Sequence, residues 1–338
     1  MSATETKPMA VVDIHIHYSP RALIEQSLAA LTSPDAKLTR YTDGIPSYTI
    51  HGQLHDLDRH LAMMDHAGLD HAVISSAEGM PGNLETSRLV NDDLHAVVPR
   101  YKGRIIGMAH TGPLAGKAGL EELDRAWNAL GLKGVAIAST LGGKGLDDEA
   151  LFPFYEKVQA AGQFIFVHPT LACGTLGTQG FGAYDLFRTV GREFELVTAV
   201  LRLVCGGVLD QFPRLNIVMS HFGGGISTLV GRIRDYQDKE FWGLAEDPIH
   251  GKRPKRDFDY YLRERPYFDT GGHFGEMTAV KAALLNIPPS RLLFGTDYPQ
   301  EIRAQDQVKA FIESLRTLDL PQAEIDAILG GNARTLLK

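Results

Sequence analysis

The sequence predicts an α/β protein folded as a closed (β/α)8 barrel, and three observations predict it. Eight short β-rich apolar runs recur along the chain. Several are nearly continuous in Val, Ile, Leu, Phe and Met rather than alternating, as parallel strands covered on both faces require. Helix-like segments lie between them, so strand and helix alternate, with an open doubly wound sheet as the rival arrangement.

In chain order the predicted strands are Val11 to His17, His71 to Ser76, Arg104 to Thr111, Gly134 to Ser139, Phe164 to His168, Asn216 to His221, Tyr267 to Thr270 and Leu292 to Asp297. Among the intervening segments, Glu121 to Leu130, Glu149 to Ala161, Glu195 to Phe212 and Met277 to Leu285 carry apolar residues at helical spacing and close near Gly or Pro. Three stretches exceed simple connections: Ser19 to Ile50, Leu171 to Gly191 and Phe241 to Leu262. The first two leave the carboxyl ends of the first and fifth strands, where loops roof the catalytic face of a barrel. No internal repeat or low-complexity tract interrupts the pattern.

A chain of 338 residues sustains one large core, so residues 1–338 read as a single barrel domain. With 44% hydrophobic and 22% charged residues, the composition is ordinary for a globular protein and excludes disordered, collagenous and disulfide-scaffold classes. A formal net charge of −7 provides no basic field, and the run Lys252, Arg253, Lys255 and Arg256 reads as a solvated loop, so nucleic acid is not an expected partner. Cys173 and Cys205 lack CxxC spacing and fit a reducing cytoplasm. Met1 to Ala10 carries no apolar h-region, and no apolar stretch of about 18 residues could span a bilayer, so the expected location is cytoplasmic, away from any membrane.

Within Val11-Val12-Asp13-Ile14-His15-Ile16-His17 the two histidines are one residue apart on a strand and point to the same face. Alone, such a pair is either a ligand pair or a satisfied core pair. The pattern then recurs: His168 ends Phe-Ile-Phe-Val-His, His221 ends Asn-Ile-Val-Met-Ser-His, and Asp297 ends Leu-Leu-Phe-Gly-Thr-Asp. Polar residues at the carboxyl ends of separate strands converge at the mouth of a barrel. Imidazoles with one carboxylate suit zinc, manganese or iron(II), and leave a coordination position for water or substrate.

These residues resemble the amidohydrolase superfamily, in particular its aminocarboxymuconate-semialdehyde decarboxylase-like branch. The resemblance rests on the HxH of the first strand, His168-Pro169, His221-Phe222-Gly223-Gly224-Gly225 and Gly295-Thr296-Asp297-Tyr298-Pro299, and runs from Asp13 to Asn332-Ala333-Arg334. It implies a distorted (β/α)8 TIM barrel with loop insertions over the C-terminal face. It also implies one divalent metal ion per chain held by His15, His17, His168 and Asp297, with zinc first and manganese or iron the other choices. His221 would stand beside the ion and act with Asp297 in catalysis. A second metal bridged by a carboxylated lysine is not expected, because Lys133, the only candidate on the fourth strand, begins that strand.

The resemblance further implies a homodimer in which Arg232, within Val230-Gly231-Arg232, reaches the neighbouring pocket and binds a substrate carboxylate. Its forked guanidinium suits that task, while an ion-paired arginine on a helix surface is the other reading. His110 and His273, near the ends of the third and seventh strands, could face the pocket, and Phe181, Tyr184, Phe187, Tyr298 and Trp242 could wall it or simply pack. His51, His55, His60, His66, His71, His95 and His250 read as surface or packed residues.

The expected reaction is a metal-dependent nonoxidative decarboxylation of a small aromatic, hydroxybenzoate-like, or muconate-type carboxylic acid. Hydrolysis or hydration of a related ring-cleavage acid is the alternative. Some hydroxybenzoate decarboxylases of the branch have Glu for the first histidine of the HxH; His15 departs from them, which makes the muconate type nearest. A barrel that has lost catalysis and serves as a scaffold would need no metal for its function.

Overall fold

The computed structural model of the protein describes residues 10–28, 37–40, 46–50, 52–170, 184–238 and 254–338. At its centre lie eight strands: β1 Val12–His17, β2 His71–Ser75, β3 Ile105–Ala109, β4 Lys133–Ala138, β5 Phe164–His168, β6 Asn216–Met219, β7 Tyr267–Asp269 and β8 Leu292–Leu293. They pair in sequence order and all in parallel. Beyond its two regular residues, the chain after β8 continues against β1. Ile14 N donates to the Phe294 carbonyl (3.0 Å), Asp297 N to the His15 carbonyl (2.9 Å) and His17 N to the Tyr298 carbonyl (2.7 Å). These bonds bring the sheet round into a nearly closed (β/α)8 TIM barrel.

A helix follows each strand: Leu57–Ala67, Leu84–Val97, Lys117–Asp124, Phe152–Ala160, Arg192–Cys205, Val230–Gln237, Met277–Leu284 and Gln305–Arg316. Sequence chemistry sets their ends. Asp56 caps the first, its side chain accepting from Arg59 N at 3.0 Å, and Asn83 caps the second through Thr86 N at 2.9 Å. The first helix turns Leu57, Met63, Met64 and Ala67 onto the sheet. With helices outside and a filled lumen inside, every residue of β1 and β5 is buried, which explains their unbroken apolar character.

Several elements differ from the sequence-based expectation. Glu195 to Phe212 divides into Arg192–Cys205 and Val208–Gln211. The helix of Glu149 to Ala161 begins as a 3-10 turn, Glu149–Leu151, ahead of Pro153, whose missing N–H suits the first turn of the helix proper. Regular pairing in β6 and β8 stops at Met219 and Leu293, short of the predicted His221 and Asp297. Both of those residues have left-handed backbones, φ 51° and 55°, which a strand cannot accommodate. Parts of the three long insertions lie outside the described residues. Within them, Lys37–Arg40 pairs antiparallel with Pro46–Ile50, and Phe187–Gly191 runs directly into the helix after β5. Among the described residues no helix is long and apolar enough to cross a membrane.

Candidate metal centre

The carboxyl ends of β1, β5, β6 and β8 bring His15, His17, His168, His221 and Asp297 into one buried cluster. One nitrogen from each of His15, His168 and His221 and one Asp297 oxygen all lie within 4.8 Å of one another. His17 joins them at closer range: its Nε2 is 3.1 Å from His168 Nε2 and 2.9 Å from Asp297 Oδ1. The His15 and His221 rings stack at 5.5 Å, and the His17 and His168 rings meet edge to face at 4.8 Å. A bulge in the β1–β2 pairing between Asp13 and Ile16 lies beside the first histidine, a common device for re-aiming side chains next to active sites.

The donor set fits a divalent ion. His15 Nε2 and His221 Nε2 are buried without a close hydrogen-bond partner, an arrangement that is costly unless something stands among them to be bound. Imidazole nitrogens bound to one tetrahedral ion at about 2.0–2.1 Å stand about 3.3 Å apart, close to the separation of His17 and His168. The opposite ring nitrogens are occupied. His15 Nδ1 donates to Asp269 Oδ2 (2.9 Å), His168 Nδ1 to the Pro169 carbonyl (2.9 Å) and His221 Nδ1 to Glu193 Oε1 (2.8 Å). Each bond keeps a proton on Nδ1 and turns Nε2 into the cluster.

Electrostatics divide the histidines. Burial and the neighbouring His17 and His15 hold His168 well below its ordinary pKa, and burial likewise lowers His17. At His221 burial opposes the charge, yet Glu193 and Asp297 outweigh it and raise the pKa well above the ordinary value. His15 is raised in the same way, with Asp269 and Asp297 overcoming burial. Burial opposes ionisation of Asp297 too, but His15 and His17 keep it an anion with a pKa well below the carboxylate range. The lowered His17 and His168 and the ionised Asp297 stand in the protonation states that metal binding needs, whereas His15 has to give up a proton when an ion binds.

Asp269 and Asp13 are supporting residues that the motif reading passed over. Asp269 ends β7; besides His15 it accepts from His221 N and Gly271 N, each at 2.9 Å, and so ties three strand ends together. It satisfies the rule that singled out His168 and Asp297, a polar residue at a strand's carboxyl end, and could have been found by it. Asp13 lies deeper in the barrel, accepting from His15 N (2.9 Å) and from the Thr296 hydroxyl (2.6 Å), and burial pushes its pKa up to about 7.

A cavity of about 310 Å³ opens over the cluster, lined by His17, His168 and Asp297 together with Arg188, Arg192, Glu193, His273 and Glu301, among others. His273 therefore faces the cavity as the sequence suggested, whereas His110 is fully buried with its Nε2 accepting from Ser76 N at 3.1 Å. Of the candidate aromatic wall, Phe187 and Tyr298 are packed in the interior and Tyr184 is 90% exposed, while Phe181 and Trp242 lie outside the described residues. Phe274, not anticipated, lines the cavity instead. Arg232 is absent from this cavity. It stands on the helix Val230–Gln237 with its guanidinium 4.7 Å from the Tyr236 ring, beside a separate apolar cleft formed with Val197, Leu201, Leu229 and Ile233. Lys133 begins β4, at the opposite end of the barrel from the histidines.

The family model for amidohydrolases matches residues 12–338. The chain belongs to the amidohydrolase family. Among curated amidohydrolase relatives, the 2-amino-3-carboxymuconate-6-semialdehyde decarboxylase of Dictyostelium discoideum is 28% identical over 255 residues, 75% of this chain and 67% of its own. The gamma-resorcylate decarboxylase of Polaromonas sp. strain JS666 is 27% identical over 300 residues, 83% of this chain and 87% of its own. A dihydroxybenzoic acid decarboxylase from the same Polaromonas strain, solved with bound manganese and 2-nitroresorcinol, shares the fold with a TM-score of 0.78 over 97% of both chains at 23% identity. These amidohydrolase relatives and the solved neighbour are decarboxylases.

If the Asp269 carboxylate fixes the His15 tautomer for a metal, Asp269→Asn should weaken divalent-ion affinity by about 10- to 100-fold. Chelator competition reads this directly. An affinity equal to that of the parent protein would show that Asp269 serves the fold alone.

Proposed function

We propose that this chain is a metal-dependent nonoxidative decarboxylase of a small aromatic, hydroxybenzoate-like, or muconate-type carboxylic acid. The observation that carries the reading is His221. It is a buried imidazole whose pKa the Glu193 and Asp297 carboxylates raise well above the ordinary value, and its Nε2 faces the candidate metal cluster. A decarboxylase needs such a proton donor beside its charge-stabilising centre, and the decarboxylase names of the relatives point the same way.

In this reading His15, His17, His168 and Asp297 hold one divalent ion, zinc first with manganese or iron(II) as alternatives. Bound there, the ion would supply a positive centre that orients the substrate and stabilises negative charge developing on it. The protein's own groups carry the proton. His221 delivers the proton on Nε2 to the carbon that bears the carboxylate, and the substrate's π electrons form the new C–H bond. The C–C bond to the carboxylate then breaks, its electron pair restores the π system, and CO2 departs. The resulting neutral His221 keeps its Nδ1 proton on Glu193 and is recharged from solvent.

Arg232 has a part in this reading through a homodimer, each copy lending its guanidinium to the other's pocket to grip a substrate carboxylate. Its absence from its own chain's cavity lining supports that role, as does the apolar cleft beside it, where Tyr236 is about half exposed. A second copy would cover that surface.

Screening hydroxybenzoates, muconates and lactones for CO2 release against acid release or hydration tests the reaction. Decarboxylation of at least one acid is expected, with about one divalent ion per chain. His221→Ala should then lower kcat by about 100-fold or more while most of the metal stays. Acid release or hydration without CO2 would replace the decarboxylase by the hydrolase or hydratase. Loss of the metal in His221→Ala would make His221 a ligand in place of His17, the alternative favoured by its grouping with His15, His168 and Asp297.

The role of Arg232 is tested by mixing chains. Arg232→Ala should cost about 2–4 kcal/mol in kcat/KM without changing metal content, the scale for removing one partner of a buried charge pair. Combined in one dimer with a His15→Ala chain, it should regain one working pocket, because the His15→Ala chain supplies an intact Arg232. Verified mixed dimers without activity would return Arg232 to its own subunit's surface.

A further inference from the structure

We propose that Glu193 is the positioning residue that fixes the ring and tautomer of His221, and that the glycine turn after His221 is shaped to bring the two together. The proposal rests on the proton-donor role given to His221 above. Glu193 belongs to a different element, the helix Arg192–Cys205 that follows β5, and lies 28 residues before the histidine. Its Oε1 accepts the Nδ1 proton of His221 at 2.8 Å, and the two side chains are only 19% and 4% exposed.

The backbone is built for this meeting. His221, Phe222, Gly223, Gly224 and Gly225 have φ of 51°, 53°, 63°, 73° and 72°, five successive residues in the left-handed region. For His221 and Phe222 that conformation is disfavoured, because it brings the β-carbon against the following carbonyl oxygen. A β-carbon on Gly224 would stand 2.0 Å from the Glu193 carbonyl oxygen, so the turn and the first turn of the helix touch backbone to backbone. Only glycine allows that approach, and the approach sets Glu193 opposite His221. From the other side Gly272 lies against the imidazole, where a β-carbon would come within 2.1 Å of His221 Cγ. His221 N, donating to Asp269 Oδ1 at 2.9 Å, holds the main chain. With ring and backbone held, the Glu193 carboxylate keeps a proton on Nδ1 throughout, so that Nε2, turned toward the cluster, is the nitrogen that gives up and regains the other proton.

Glu193 also lines the cavity, so its removal opens a space that a small carboxylate can enter from solvent. The zinc-loaded enzyme is therefore compared as parent, Glu193→Ala and Glu193→Asp, with and without added formate. Glu193→Ala should lose about 10- to 100-fold in kcat with KM and zinc content little changed, as for other outer-shell partners. Formate should restore part of that loss in Glu193→Ala and nothing in the parent, and Glu193→Asp should retain more activity than Glu193→Ala. In 15N-histidine spectra, the His221 Nδ1–H signal should be present in the parent, lost in Glu193→Ala and recovered with formate.

An unchanged kcat in Glu193→Ala overturns the proposal. So does a loss that tracks falling zinc content or melting temperature and that formate does not relieve. If the parent decarboxylates none of the acids offered, the functional reading fails by itself and the spectra decide this one: a His221 Nδ1–H signal unaltered in Glu193→Ala overturns it.

Discussion

Asp297 sets the constraint on which the rest of the site depends. Its carboxylate is buried among imidazoles, with His17, His221 and His15 nitrogens at 2.9, 3.4 and 3.6 Å. An isolated anion in that position would cost several kcal/mol to desolvate, so positive charge has to be brought to it. Two histidines raised by carboxylates, two lowered by burial, and a converging set of Nε2 atoms form an environment that is balanced only around a cation or shared protons. The Asp269 and Glu193 carboxylates, one ring further out, hold two of those imidazoles by Nδ1. The pattern alternates outward from the centre: donor set, imidazole, carboxylate.

That electrostatic demand has a structural consequence in the barrel itself. Regular pairing ends early in β6 and β8, where His221 and Asp297 enter left-handed conformations that L residues adopt at a cost. The barrel offsets the lost ladder with hydrogen bonds aimed at side chains. Asp13 accepts from Thr296 and His15 where strand bonding would otherwise have run, and Asp269 accepts from the backbones of residues 221 and 271. Strain and polar burial are concentrated at the carboxyl ends of the strands, while the apolar layers below, with Phe166 against the His15 ring at 4.9 Å, fix the cluster from beneath.

Much of this was legible in the sequence because strand periodicity and strand ends are local. Eight apolar runs, and histidines or an aspartate at their carboxyl ends, sufficed for the barrel and for the group of residues 15, 17, 168, 221 and 297. The extent of β8 was not legible: Leu292 to Asp297 reads as a strand, but regular pairing stops at Leu293, Phe294 N donates to the Ile328 carbonyl outside the sheet, and Asp297 itself is left-handed. Glu193 was invisible for another reason. Its partner lies on a separate element, no spacing relates the two, and an acidic residue in the first turn of a helix ordinarily reads as a match for the helix dipole. The glycines of residues 223–225 were noticed as a motif, but their purpose, a backbone contact with residue 193, exists only in three dimensions.

The walls of the cavity follow a different logic from its floor. The floor is made by strand ends, whose positions are fixed by the pairing of the barrel. The described walls come from the segment 185–193, from His273 and Phe274 after β7, and from Gln300, Glu301 and Arg303 after β8. They mix Arg188, Arg192 and Arg303 with Asp185, Glu193 and Glu301, and burial beside Asp297 raises Glu301 to about 7. Charges of both signs therefore line the mouth above the cluster. Chemistry held on rigid strand ends and recognition held on the following loops can vary independently, which is the physical basis on which one metal-binding barrel serves different acids.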